Sequence, residues 1–169
     1  QDGRNGSDMQ LIYQGSNQKE VISTITPEMA SEHSHSFLSH AIALDLNSNP
    51  HVIFSYLNKE LEGDSSFQRE RTSYYAYRDI LGWHVKIAPA LYDAHDFSLA
   101  IDEQGVPHVA YQTFQGNSYY GFFNGIQWQK SSMGASAINP ILAMNNSAPV
   151  VIYNDPTSQI LYSAKPIIV

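Results

Sequence analysis

Seven histidines and a scatter of carboxylates are where this sequence could do chemistry. His33 and His35, with Glu32 and His40, form the densest ionisable cluster. Their alternation places both rings on one face of an extended segment. His95 stands between Asp93 and Asp96. Imidazole nitrogens and carboxylate oxygens are ligands for a divalent metal, so His33, His35, His95 and Asp96 form a candidate metal set. The competing reading is a polar, water-filled rim. His51 and His108 each follow a proline directly. Each ring either faces a ligand or hydrogen-bonds a turn or a neighbouring strand, the second being the usual fate of a residue that a repeat requires. Glycosidase chemistry needs two carboxylates facing each other across a cleft. Glu60, Glu62, Asp64 and Glu70 all fall in one charged stretch and read as solvated. No serine lies in a nucleophile elbow, and no catalytic residue is assigned.

Aromatic side chains offer a different chemistry. Trp83 and Trp128 follow the Tyr-rich stretches that contain Tyr74, Tyr75, Tyr77, Tyr119 and Tyr120. Such rings either stack on sugars or pack between layers of sheet. Trp128 is expected to be the more exposed, being beside Asn124-Gly125. Trp83, Trp128, Tyr119 and Asn124, with Arg69 and Arg71, are the candidate ligand-binding residues.

The elements that must position these groups are strands. Only 15% of the 169 residues are charged, whereas Asn, Gln, Ser and Tyr abound, a balance that suits sheet better than solvated helix. The net charge is −7 with no Lys/Arg cluster, which argues against nucleic acid and against anionic membrane as partners. Cysteine is absent, so disulfides, Cys-ligated zinc and a thiol nucleophile are excluded. No apolar run reaches transmembrane length, so no membrane insertion is expected. Residues 1–7 read as a polar, flexible segment rather than a signal peptide. The composition is compatible with a secreted or cell-surface protein.

Sliding the chain on itself reveals a repeat. Ala41-Ile42-Ala43-Leu44-Asp45, continued to Pro50-His51-Val52-Ile53-Phe54, matches Ser98-Leu99-Ala100-Ile101-Asp102, continued to Pro107-His108-Val109-Ala110-Tyr111. A weaker copy runs from Ile141 to Tyr153, with Val150 at the His position. Between the copies lies a second shared element. Ser73-Tyr74-Tyr75-Ala76-Tyr77 leading to Trp83 matches Ser118-Tyr119-Tyr120-Gly121-Phe122 leading to Trp128. Each unit reads as four antiparallel strands: an apolar first strand ending at Asp, a polar turn, a second strand opened by Pro, a variable loop, and a closing hairpin. Asp45 and Asp102 read as turn caps. The expected fold is all-β, about three and a half four-stranded units from a larger ring or an oligomer. Its parts are a half unit at 8–24 and units at about 39–88, 97–132 and 139–169. Asn58–Arg71 reads as a charged loop inserted in the first full unit.

Leu99-Ala100-Ile101-Asp102, Gly105, Pro107-His108-Val109-Ala110-Tyr111 and Asn124-Gly125 with Trp128 resemble repeats of large bacterial β-propellers, grouped with sialidase-like and lectin-like propellers. The resemblance covers roughly residues 8–169 and implies blades; a period of roughly 40–45 residues suits them. The chain departs from the sialidase pattern in lacking a Trp after Gly105, where an Asp-box needs one. It also lacks three separated arginines, holding only Arg4, Arg69, Arg71 and Arg78. The expectation is a non-catalytic recognition module for a glycan or a protein surface. A sialidase-like hydrolase fragment and a structural half-ring completed by a second copy or a partner chain are the alternatives. No cofactor is expected beyond the candidate metal.

Overall fold

The computed structural model describes residues 9–25, 37–61, 68–134, 138–155 and 160–164. The fold is all-β. Apart from one turn of 3-10 helix at Pro89–Leu91, the described residues form strands and turns. No helix among them is long and apolar enough to cross a membrane.

The strands fall into four antiparallel meanders in chain order. The first is the pair β1 (Met9–Gln14) and β2 (Lys19–Ile25). The second holds β3 (Phe37–Leu44), β4 (Pro50–Leu61), β5 (Gln68–Asp79) and β6 (Gly82–Ile87). The third holds β7 (Ala94–Ile101), β8 (Pro107–Thr113), β9 (Ser118–Phe123) and β10 (Trp128–Gly134). The fourth holds β11 (Ile138–Asn145), β12 (Ala148–Asp155) and β13 (Ile160–Ala164). The four sheets begin at Met9, Phe37, Ala94 and Ile138. A fourth strand for the last unit would fall outside the described residues.

Successive sheets stack face to face, and the two-residue period of the strands builds each interface. On one face of the second sheet, Val52, Phe54 and Ala76 meet Ile22, Leu11 and Tyr13 of the first. On its other face, Ile53 and Tyr75 meet Leu99, Val109, Tyr111 and Trp128 of the third. The third sheet then turns Ala110 and Tyr120 towards Leu142 and Val151 of the fourth. Every residue of β8 is therefore buried, because both of its faces are covered. Fully burying an apolar side chain of this size stabilises the fold by about 2 kcal/mol. Among the first strands, β3 lies against β7 and β7 against β11. Pro50 and Pro107 open β4 and β8, as a residue without an N–H donor should.

Asn58–Arg71 is not simply an inserted loop. Most of it lengthens β4 and β5 into a hairpin, pairing Leu57 with Arg71, Glu60 with Arg69 and Leu61 with Gln68. Both strands reach 12 residues, whereas β8 has 7. Glu62 and Asp64 lie outside the described residues.

Candidate functional site

Strand alternation sorts the connections to two ends of the stack. The β3–β4, β5–β6, β7–β8, β9–β10 and β11–β12 turns share one end. The long β4–β5 hairpin, the 88–93 linker and the β8–β9 turn share the other.

At the turn end, the Asp of each repeat holds its own turn together. Asp102 Oδ1 accepts the backbone N–H groups of Gln104 at 2.9 Å and Val106 at 2.8 Å. Asp45 Oδ1 accepts those of Asn47 and Asn49 at 2.9 and 2.8 Å. The second oxygen of Asp102 lies 3.2 Å from His108 Nε2, and His108 Nδ1 lies 2.6 Å from the Tyr120 hydroxyl. A carboxylate only accepts, so Nε2 carries the hydrogen and Nδ1 accepts from the tyrosine. Asp45, His51 and Tyr75 repeat the arrangement: Tyr75 lies 2.5 Å from His51 Nδ1, and Nε2 is 3.8 Å from Asp45 Oδ2. His51 and His108 are both buried, His108 at 4% exposure. They are braces between turn and sheet.

An Asp–His–hydroxyl chain invites comparison with acid–base relays, but its hydroxyl is phenolic and tightly held. Burial, then the nearby Asp102 charge, pushes the Tyr120 phenol up to about 12. Burial, then Tyr77 and Asp45, raises that of Tyr75. Neither phenol becomes a nucleophile near neutral pH. Burial also lowers the pKa of His51, against the pull of Asp45. Burial would raise the Asp45 pKa, but donors from Asn49 and Asn47 and the His51 ring hold it below the usual value.

The tips of these turns are aliphatic and open to solvent. Ile80 is 99% exposed, and Leu81, Ile126 and Leu46 are nearly as bare. Tight backbone turns present them. Asp79 Oδ1 accepts Leu81 N–H at 2.7 Å, and Asn124 Oδ1 accepts those of Ile126 and Gln127 at 3.0 and 2.9 Å.

At the linker end, Arg71 and Asp93 form a buried ion pair at 2.6 Å. The Arg71 guanidinium also lies 3.3 Å from the centroid of the Phe114 ring. Asp93 holds a left-handed backbone (φ 58) and accepts Phe114 N–H at its carbonyl, 3.3 Å away. The pair pins the linker to the root of the long hairpin and to the β8–β9 turn.

The candidate residues are thus dispersed. Trp128, expected to be exposed, is buried at 8% and meets Tyr75 edge-on at 5.5 Å between the second and third sheets. It opens β10 and turns inward from the hairpin. Trp83, half-buried and second in β6, meets Tyr13 of the first sheet at 5.5 Å. Tyr119 stacks on Tyr111 at 5.5 Å, and Asn124 caps its turn. Arg71 is buried in its ion pair rather than free for a ligand, and the Arg69 side chain lies outside those described. His33 and His35 also lie outside the described residues. His95 Nδ1 faces Asp96 Oδ2 at 2.5 Å, and its ring packs on Phe114 at 4.4 Å. No group of three or more potential metal ligands comes together among the described residues. Sequence reading missed the tyrosine in each brace, the Arg71–Asp93 pair and the aliphatic tips. The first carried a signal, since Tyr75 and Tyr120 occupy one repeat position.

Compared with protein-family models and with curated proteins, the sequence matches none.

Proposed function

We propose that these sheets are consecutive β-propeller blades of the bacterial repeat type the sequence resembles, and that the chain is a non-catalytic recognition module. Face-to-face stacking of four-stranded meanders with their first strands adjacent supports the blade reading. The observation that carries the function is the row of aliphatic tips, Leu46, Ile80, Leu81 and Ile126, on one end of a braced scaffold. Bare aliphatic groups on rigid turns suit the apolar part of a protein surface, whereas sugar rings call for aromatic platforms. Trp128 is packed inside, so the protein-surface form of the reading is preferred to the glycan form.

Protein and glycan arrays, probed with the wild-type chain and a Leu46→Ser, Ile80→Ser, Leu81→Ser, Ile126→Ser variant, test this. The expected result is specific protein binding, lost in the variant at unchanged thermal stability. Glycan binding that survives in the variant would place recognition elsewhere. Turnover of an arrayed glycan would defeat the non-catalytic reading.

A further inference from the structure

The chain carries a built-in comparison between covered and bare first strands. Ile42 on β3 and Leu99 on β7 occupy the same repeat position, yet Ile42 is 54% exposed and Leu99 8%. The reason is local. Leu99 faces the second sheet, whose β3 covers it with Ala41 and Ala43. Ile42 faces the first sheet, which among the described residues consists of β1 and β2 and covers the β4–β6 side instead. His40, Ile42 and Leu44 are left as a bare face on β3. At the other end of the stack, the outer face of β11 and β12 shows Ile141, 62% exposed, with Ala143 and Ile152.

We propose that a second copy of this chain covers these faces head to tail, β11 of one copy lying on β3 of the other. This rests on the blade reading above. Within the chain, the forward faces of β3 and β7 are small and receive the large residues of the next first strand. Ala41 and Ala43 pack in the cluster that holds Leu99, and Ala100 packs in the one that holds Leu142. Ala143 continues the small series on β11, with the large Ile141 beside it, and Ile42 and Leu44 continue the large one. The contact repeats the first-strand part of that interface, since the first sheet already covers β4–β6, so β3, β7 and β11 of one copy run on into β3, β7 and β11 of the other. Because the two faces differ, the contact is heterologous, and applying it twice closes a ring.

The test uses sedimentation of the whole chain with the substitutions Ile42→Asp and Ile141→Asp, both at exposed positions. The wild type is expected at twice the 18.9 kDa of the single chain. Each substitution should weaken association by about tenfold or more, the penalty for a charge in an apolar contact. An equimolar mixture of the two variants retains one intact pairing, the Ile141 face of the first on the Ile42 face of the second, and should associate more tightly than either alone. If Asp lowers the melting temperature of a variant, the corresponding Ser substitution replaces it. A wild-type monomer at about 100 μM, where even weak specific pairs form, would overturn the proposal and leave the blade reading intact. So would a dimer sensitive to only one substitution, which is isologous. A dimer sensitive to both, but without a central channel in electron micrographs, would remove the blade reading while keeping the contact.

Discussion

The β3–β4 and β7–β8 turns are two solutions to one problem. Both close with the same backbone bonds: Ser48 N–H to the Asp45 carbonyl and Gly105 N–H to the Asp102 carbonyl, each at 3.0 Å. They differ at the residue before proline, Asn49 in one and Val106 in the other. The Asn49 amide donates to Asp45 Oδ2 at 2.9 Å, the oxygen that His51 would otherwise hold, and His51 stands off at 3.8 Å. Val106 cannot compete, and His108 closes on Asp102 at 3.2 Å. The β11–β12 turn drops the device altogether. Asn145 pairs directly with Ala148 around a two-residue turn, and Val150 stands where the histidine was. Asp and His are kept together or lost together, as expected if the imidazole exists to brace the capped turn.

The largest expected effects come from removing the carboxylates. Asp102→Ala orphans two backbone donors and a buried imidazole and should cost about 3 kcal/mol in urea unfolding. Asp45→Ala should cost about 2 kcal/mol, since its turn lies nearer to solvent. Equal costs would mean that neither the deeper burial of Asp102 nor its closer His108 contact adds anything.

Next come the imidazoles. His108→Ala leaves the Tyr120 hydroxyl buried without its acceptor and should lower stability by about 2 kcal/mol, with His51→Ala somewhat milder. Reversing that order would remove the distinction between a closed and an open brace.

The turns can also be interconverted. The folded chain holds the His51 pKa below its ordinary 6.5, mainly through burial. Between that lowered value and 6.5 the unfolded chain binds a proton that the native chain does not. Stability therefore rises with pH across this window and is lost as pH falls through it. Asn49→Val should let His51 approach Asp45, bring its pKa back towards 6.5 and flatten the acid loss. Proton NMR titration of the His51 ring reads this directly, and an unmoved pKa would refute the competition. Val106→Asn should open the second brace at a cost of about 1 kcal/mol.

The smallest effect tests the backbone. Ser48 holds the left-handed conformation (φ 63) where its counterpart is Gly105 (φ 80). Ser48→Gly should relieve this and stabilise by about 0.5 kcal/mol, the strain relieved exceeding the entropy glycine adds to the unfolded chain. A melting temperature that falls instead would show the serine to be unstrained.

Much of this frame was legible before any coordinates. The Asp caps, the prolines opening β4 and β8, the Asn124-Gly125 hairpin and the paired strands all rest on short-range chemistry that a sequence displays. The lengthened β4–β5 hairpin was not legible, because Asn58–Arg71 has no apolar alternation and a charged stretch reads as a loop. Trp128 misled because standing next to a turn says nothing about which way the first residue of a strand points. Arg71 was read as free for a ligand because its partner Asp93 comes from another element, and only the fold joins the two. The aliphatic tips carry no signal of their own, because it is the turns that lift them into water. The metal set joined residues from two distant stretches, of which the described residues hold only His95 and Asp96, both in β7.

The burial of β8 on both faces has a mechanical consequence. Val109 and Tyr111 lean one way and His108 and Ala110 the other, so a single backbone forms the party wall of two compartments. A bulkier residue at Ala110 cannot be absorbed on its own side. It displaces the strand, and the displacement is felt by Tyr75 and Trp128 on the far side of the wall. Neighbouring units are thereby coupled in shape: a volume gained in one compartment presses on the next through this strand, which is buried along its whole length.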